Sequence, residues 1–335
     1  MNIDIAKFSM ANDDHCWIEN TDNSEYVENC VCDNCAANME EISNVVNKEG
    51  EKGIALGLCP DCGYIKHTRN LSQEWYDRHF EKNWLKKRND ELVENRYVFE
   101  LLSPFLPESG RVLDVGAGNG HRLISFQSAG YEAIGVEPSI KRSTKASQQL
   151  DTIINQPGEK YFSESNKEFD VIFFFNVLQF TENPFKLISM ASERLKAGGL
   201  LFVRFGEFYH NNNFFIMTHN GVMRSFLSIY ALKELIQKLG LSPIYISENP
   251  MEIVFKKGEC ENSLIDKFNN AKKITKEDVN AFAYKTLNGY KLKIFKKSGI
   301  LFNNRKVILS VKQPTRELIP VSFVHNSSQL PIILK

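Results

Sequence analysis

The sequence predicts a doubly wound α/β protein whose sheet is mostly parallel, and three observations predict it. Strand-like and helix-like segments alternate from about residue 111 to residue 255, the strand-like runs are almost wholly apolar, and one of them ends in a glycine-rich turn. Strands are expected at Arg111–Val115, Ala133–Glu137, Asp170–Phe175 and Leu200–Phe205. Helices are expected over Gly120–Ser128, Ser139–Gln149, Pro184–Leu195 and Tyr230–Leu239. Asn183-Pro184 reads as a helix start, since asparagine caps and proline suits a first turn, and Gly198-Gly199 as a stop followed by a turn. Two further strands, Pro243–Ser247 and Glu252–Phe255, follow Gly240.

The flanks differ from this core. Residues 72–102 carry Trp75, Tyr76, Phe80, Trp84, Tyr97 and Leu102 among many charges, a helical pattern in which Phe80, Trp84 and Tyr97 read as core contacts. The last 75 residues or so predict one or two helices between about 262 and 298 and a strand at Lys306–Val311. The expected division is 1–70, a small acidic cysteine-rich region; 71–105, connecting helices; 106–257, the α/β core; and 258–335, a short basic α/β extension.

A chain of 335 residues suits about two domains, or three. Its 42% apolar and 24% charged residues exclude a wholly disordered chain, and 41 basic against 41 acidic residues give no global charge for nucleic acid or membrane. Residues 1–62 hold 13 acids and 3 lysines, a net of −10, whereas residues 256–312 hold 14 basic residues and 5 acids, a net of +9. That asymmetry either brings the two ends together or marks a partner surface. Apolar runs fall far short of the roughly 20 residues of a membrane helix. The acidic, interrupted Met1–Asn20 does not suit a signal peptide, so a cytoplasmic, soluble protein is expected.

The sharpest signal is Val112-Leu113-Asp114-Val115-Gly116-Ala117-Gly118-Asn119-Gly120. Glycine is needed where the backbone turns with positive φ and where a ligand touches the main chain. The spacing is G-x-G-x-G rather than the G-x-G-x-x-G that aims a helix at a pyrophosphate. Asp114 would repel a phosphate but suits a cationic aminoacyl group. Glu137, 21 residues after Gly116, ends the second strand, where a carboxylate can accept both hydroxyls of a ribose.

These residues resemble the cofactor site of the class I S-adenosylmethionine-dependent methyltransferases. Phe169-Asp170-Val171-Ile172 with Asn176-Val177-Leu178-Gln179-Phe180 and Asn183-Pro184 is similar to that family's fourth-strand segment, and Leu195-Lys196-Ala197-Gly198-Gly199 to the turn before its fifth strand. Gln179, Phe180 and Ala197 depart from the usual Glu, His and Pro. The resemblance covers roughly residues 95–255 and implies a seven-stranded methyltransferase sheet. It also implies S-adenosylmethionine held by Asp114, Gly116, Gly118, Gly120, Glu137 and Asn176, with Glu159 a candidate for the adenine.

Six of seven cysteines fall within the first 62 residues. In a reducing compartment such clustering favours metal over disulfides. Cys32-Asp33-Asn34-Cys35 and Cys59-Pro60-Asp61-Cys62-Gly63 form two C-x₂-C knuckles, the spacing that closes a tetrahedron around zinc. Cys30 could substitute for Cys32. Buried free cysteines and a redox switch are the alternatives, and His67 reads as a solvated residue rather than a fifth ligand. A zinc-binding N-terminal region before this core resembles a subset of bacterial methyltransferases that includes sugar C-methyltransferases acting on nucleotide-linked deoxyketosugars. In those a catalytic histidine lies shortly before a Phe-Ser; here Val222 stands at that position, ahead of Ser225-Phe226.

Methyl transfer needs a base only when the acceptor is a hydroxyl or a carbon acid. The loop after the fifth strand supplies the candidates His219, His210 and Glu207, and His121 would line the cofactor entrance. The expected acceptor is a small molecule, a sugar, nucleotide-sugar or other metabolite. The alternatives are an RNA or protein methyltransferase gripping its substrate through the zinc module and a non-catalytic binding protein. Nucleic acid is disfavoured by the acidic N-terminal region, which lacks the cationic stripe that phosphates require. No membrane partner is expected, and the oligomeric state is left open.

Overall fold

The computed structural model describes residues 3–4, 26–46, 52–83, 95–206, 223–248, 250–261, 264–279, 281, 307–312, 318–323 and 332–334. In chain order the strands are β1 (Ile3–Asp4), β2 (Tyr26–Glu28), β3 (Glu40–Val46), β4 (Lys52–Leu58), β5 (Ile65–Leu71), β6 (Arg111–Val115), β7 (Glu132–Val136), β8 (Thr152–Ile154) and β9 (Phe169–Phe175). They continue as β10 (Leu195–Phe205), β11 (Ser225–Phe226), β12 (Leu241–Glu248), β13 (Met251–Lys257), β14 (Val307–Lys312), β15 (Leu318–Phe323) and β16 (Ile332–Leu334). The helices are α1 (Gln73–Asn83), α2 (Tyr97–Leu102), α3 (Leu123–Ser128), α4 (Ile140–Ala146), α5 (Gly158–Glu164), α6 (Pro184–Glu193), α7 (Ile229–Lys238) and α8 (Ile265–Asn269).

The chain forms two compact units. One comprises residues 74–207 and 232–271 and holds a seven-stranded sheet in the order β12-β13-β10-β9-β6-β7-β8. The pairs β6–β7, β7–β8, β6–β9 and β9–β10 are parallel, and β13 runs antiparallel to both its neighbours. In β9 Val171, Ile172, Phe173 and Phe174 are all buried, which is why Val171–Phe175 is a continuous apolar run. Helix α6 starts as expected: the Asn183 side chain accepts a hydrogen bond from Lys186 N, and Pro184 opens the first turn. Beyond the expected strands, the structure adds β8 and α5. Gly198-Gly199 does not end a turn but lies inside β10, as an irregularity in its register with β9. Tyr97, read as a core contact, is 40% exposed, and its hydroxyl donates to Glu252 Oε2 at 2.6 Å. Trp84 lies outside the described residues.

The other unit draws on residues 1–73, 208–231 and 272–335, so it is discontinuous where the sequence reading lays four segments end to end. Its nine strands run β11-β5-β4-β3-β1-β14-β15-β16, with β2 also on β5. The acidic beginning and most of the basic end thus share one unit: Lys273 Nζ donates to Pro60 O at 2.8 Å, and Lys276 Nζ lies 3.4 Å from Glu40. Strand β14 matches the expected strand to within a residue, and α8 begins the expected C-terminal helical stretch, most of whose remainder lies outside the described residues.

Strand β5 corrects the reading of His67. It is not solvated but 6% exposed, with its ring edge-on to Phe226 at 6.0 Å and its Nδ1 3.3 Å from Asn70 Nδ2. The strand is buried on both faces despite carrying Lys66, His67, Thr68 and Asn70. Among the described residues no helix is long and apolar enough to cross a membrane.

Candidate functional site

The strand order reverses between the parallel neighbours β6 and β9: β7 and β8 lie on one side and β10 on the other. In an open parallel sheet such a switch point leaves a crevice at the carboxyl ends of the strands, and that is where ligands bind. The glycine turn leaves β6 at this point. Gly116, Gly118 and Gly120 have φ of +75°, +60° and +78°. A side chain at Gly116 would strike Val177, and one at Gly120 would strike Leu150. Gly118 differs: a Cβ there meets nothing nearer than Arg142 Nη1 at 4.0 Å, so its bare side faces open space.

Around that turn the side chains are held by a network. Glu137, 3% exposed, accepts from Gly118 N at 2.8 Å and from Ser139 N at 3.0 Å, and Arg142 Nη1 lies 3.9 Å from it. Asn155, just past β8, donates to the main-chain oxygens of Glu137 and Pro138, both at 2.9 Å. Asn176, directly after β9, is exposed and has a φ of +59°, a conformation asparagine tolerates better than most residues. Its amide is pinned to Arg204 O at 2.9 Å.

Asp114 is fully buried, yet neither carboxylate oxygen has a hydrogen-bond donor; Arg122 Nε stands 3.4 Å away. Burial pushes its carboxyl up to about 6, Arg122 pulls it back, and Glu137 adds to the rise. A desolvated carboxylate beside an open glycine turn, with a guanidinium as its only charge partner among the described residues, matches a ligand bearing both an ammonium and a carboxylate. The residues therefore fit the aminoacyl end and the ribose of S-adenosylmethionine. Arg122 also lies with its guanidinium carbon 4.6 Å from the Phe175 ring centroid, and Arg204 lies at the same distance from that ring.

The cysteines form a second site. The Sγ atoms of Cys32, Cys35, Cys59 and Cys62 all lie within 4.8 Å of one another. Cys32–Cys62 is 3.6 Å, Cys35–Cys59 3.4 Å and Cys35–Cys62 3.9 Å. Four sulfurs around zinc at about 2.3 Å would stand about 3.8 Å apart, so the set fits a tetrahedral ion. Cys30 is exposed and stands outside the group. The thiols oppose one another's ionisation. A hydrogen bond from Cys62 draws Cys32 down to about 5, Cys62 is raised in turn, and burial pushes Cys35 up to about 11. Both knuckles are braced by what lies between and after the cysteines. Asp33 takes Lys66 Nζ at 2.7 Å, Asn34 Nδ2 reaches Ala231 O at 2.9 Å, and Gly63, at φ +66°, packs on the backbone of Ile274.

Of the candidate residues, the structure gathers Asp114, Gly116, Gly118, Gly120 and Glu137 around one turn and Cys32, Cys35, Cys59 and Cys62 in one cluster. Glu207, His210 and His219 lie outside the described residues. Glu159 sits in the first turn of α5, half-buried. Sequence reasoning missed Arg122, Arg142 and Asn155, polar residues whose roles depend on contacts with other elements; only the position of Asn155 just past a third strand could have signalled it.

A sheet in this order, with a glycine turn at its switch point and an acid closing the next strand, is the arrangement that the resemblance to the class I S-adenosylmethionine-dependent methyltransferases implies. Comparison with known proteins agrees: residues 84–245 match the family described as a methyltransferase domain. An uncharacterized protein of Methanocaldococcus jannaschii is 30% identical over 130 residues, covering 39% of this chain and 57% of that protein, so the chain spans little more than half the length of this curated relative. Among solved structures, an S-adenosylmethionine-dependent methyltransferase of Archaeoglobus fulgidus is 19% identical with a TM-score of 0.43, covering 55% of this chain and 100% of its own. The magnesium protoporphyrin IX methyltransferase of Synechocystis PCC 6803 is 16% identical with a TM-score of 0.43, covering 55% and 98%.

Proposed function

We propose that this methyltransferase acts on a small-molecule acceptor, a sugar, a nucleotide-sugar or another biosynthetic metabolite, and that Cys32, Cys35, Cys59 and Cys62 hold one structural zinc ion. The observation that carries the acceptor class is the state of the cations on β5. Lys66 is paired with Asp33 and buried, and Arg69 pairs with Glu28 and lies over the Tyr26 ring. Cations committed in this way do not form the phosphate-contacting stripe by which a zinc module grips RNA.

When bound, S-adenosylmethionine supplies a methyl group on a sulfonium, open to in-line attack. The chain's own task is placement, since holding acceptor and methyl at near-attack distance accounts for most of the acceleration in such a displacement. Glu137 orients a ribose through a carboxylate that Gly118 and Ser139 already hold in place. Asp114 and Arg122 receive a zwitterion in a desolvated pocket, where charge complementarity counts for more than in water. The test is incubation of the protein with metabolite extracts and isotope-labelled methyl donor, followed by mass spectrometry. Label in a low-molecular-mass product supports the proposal; label found only in added RNA or protein would overturn it.

A further inference from the structure

We infer that Glu81, on the helix that precedes the methyltransferase core, is a positioning residue of the cofactor site, acting through Ser139 on the ribose-binding carboxylate Glu137. The inference rests on the class assignment and on Glu137 facing the ribose.

Glu81 sits in the last turn of α1, where a negative charge opposes the dipole of its own helix. Its carboxylate is instead spent on the first turn of α4. Ser139 Oγ donates to Glu81 Oε2 at 2.7 Å, Lys141 N donates to Oε1 at 3.2 Å, and Lys141 Nζ donates to the Glu81 main-chain oxygen at 3.2 Å. Ser139 is the hinge of the arrangement. It is 7% exposed and gives its N–H to Glu137 Oε1 and its O–H to Glu81, while its Oγ accepts from Arg142 N at 3.3 Å. The other oxygen of Glu137 takes Gly118 N. An unbroken chain of hydrogen bonds therefore runs from α1 through Ser139 and Glu137 to the glycine turn.

With every donor of Ser139 engaged, Glu81 adds to the Asn155 and Gly118 contacts a third hold on the segment that presents Glu137. Without Glu81, Ser139 Oγ is free to turn, the start of α4 loosens, and Glu137 meets the ribose less well aligned. By linkage the reverse holds as well: a ligand that engages Glu137 must stabilise the docking of α1 by the same factor.

The experiment is calorimetric titration with S-adenosylhomocysteine of the parent, Glu81→Ala, Glu81→Gln, Glu137→Ala and the double variant Glu81→Ala/Glu137→Ala. Glu81→Ala should weaken binding about five- to tenfold, part of the effect of one charge-assisted hydrogen bond. Glu81→Gln, whose amide oxygen still accepts from Ser139, should stay within about threefold of the parent. In the Glu137→Ala background the Glu81→Ala change should cost less than about twofold, because its route to the ligand is already cut. Additive losses, or an unchanged affinity in Glu81→Ala, would overturn the inference. Should Glu81→Ala not fold, hydrogen exchange of residues 74–83 in the parent decides: protection must rise when S-adenosylhomocysteine binds, and exchange indifferent to ligand refutes the coupling. A parent that binds no S-adenosylhomocysteine would remove the class assignment on which the inference stands, and the parent titration alone reveals that.

Discussion

The glycine turn and the cysteine cluster make an instructive pair. Both are built from residues notable for what they lack or what they could ligate, and each has a residue directly after a strand, Gly116 after β6 and Cys59 after β4. The glycine turn is local: its strand, its turn and its acid fall within Arg111–Glu137, and the hydrogen bond from Gly118 to Glu137 spans 19 positions. The cysteine cluster is assembled from two knuckles 24 positions apart at their nearest cysteines and is braced by Ala231 and Ile274, contributed from far along the chain. One site comes with the fold of a contiguous core; the other needs distant segments and, in the proposal, an ion to complete it.

Breaking the metal site should have the largest effect. Cys62→Ser should take zinc content from about one per chain to none and remove several kcal/mol from the unit that contains it, since structural zinc couples directly to folding. Cys30→Ser should leave the metal in place. Elemental analysis with native thiol titration checks both, and a parent without zinc and with all seven thiols reactive would sink the assignment.

Asp114→Asn sharpens the comparison from the other side. The Asp114 carboxyl ordinarily ionises near 3.8 and in the folded chain near 6, so between these values the folded state holds the proton more tightly than the unfolded state. Stability from this residue is therefore full below about pH 4 and is lost as pH rises through about 6. Asp114→Asn should stabilise the ligand-free protein at pH 7.5 by up to about 3 kcal/mol, with the gain fading toward pH 4, and should weaken S-adenosylmethionine binding. Thermal melts across pH with and without ligand measure both signs.

Glu137→Ala should lose about 1.5–3 kcal/mol of binding, roughly ten- to a hundredfold in affinity for S-adenosylmethionine. A variant that binds as the parent does would show the ribose to be held elsewhere. The smallest expected effect on stability is that of Gly118→Ala, about 1–2 kcal/mol from positive φ alone, because its Cβ enters open space. Gly116→Ala, whose Cβ would lie 2.5 Å from Val177, should cost that and overpacking besides, about 1–3 kcal/mol more. Gly118→Val should hurt ligand affinity more than melting temperature.

These contrasts also mark how far the sequence could be read. The parallel core was legible because its signals are local: an apolar run for β9, Asn183-Pro184 for α6, three glycines after β6. Strand β8 was not, since its three half-buried residues give no pattern. Strand β5 was hidden by its own chemistry, because Lys66, His67 and Asn70 are polar side chains and each is buried. Arg122 and Glu81 look like surface charges on helices, and only their contacts with Asp114 and Ser139 give them a place. Zinc-ligand spacing was visible, whereas the residues that brace the knuckles, Ala231 and Ile274, lie 197 and 211 positions beyond the Asn34 and Gly63 they touch and carry no signature.

Strand β1 lies between β3 and β14, pairing Ile3 with Val45 on one side and with Leu309 on the other. A ribosome making this chain delivers β1 to β5 before residues 74–271 and β14 only after them. The unit of residues 74–207 and 232–271 can fold in the interval, while β1 waits with an unpaired edge. Order of assembly thus runs against order of translation: β1 is made before the other unit, yet its second edge is closed only when β14 follows that unit. A nascent chain stalled before residue 307 would expose the unpaired margin of β1 while the other unit is already folded.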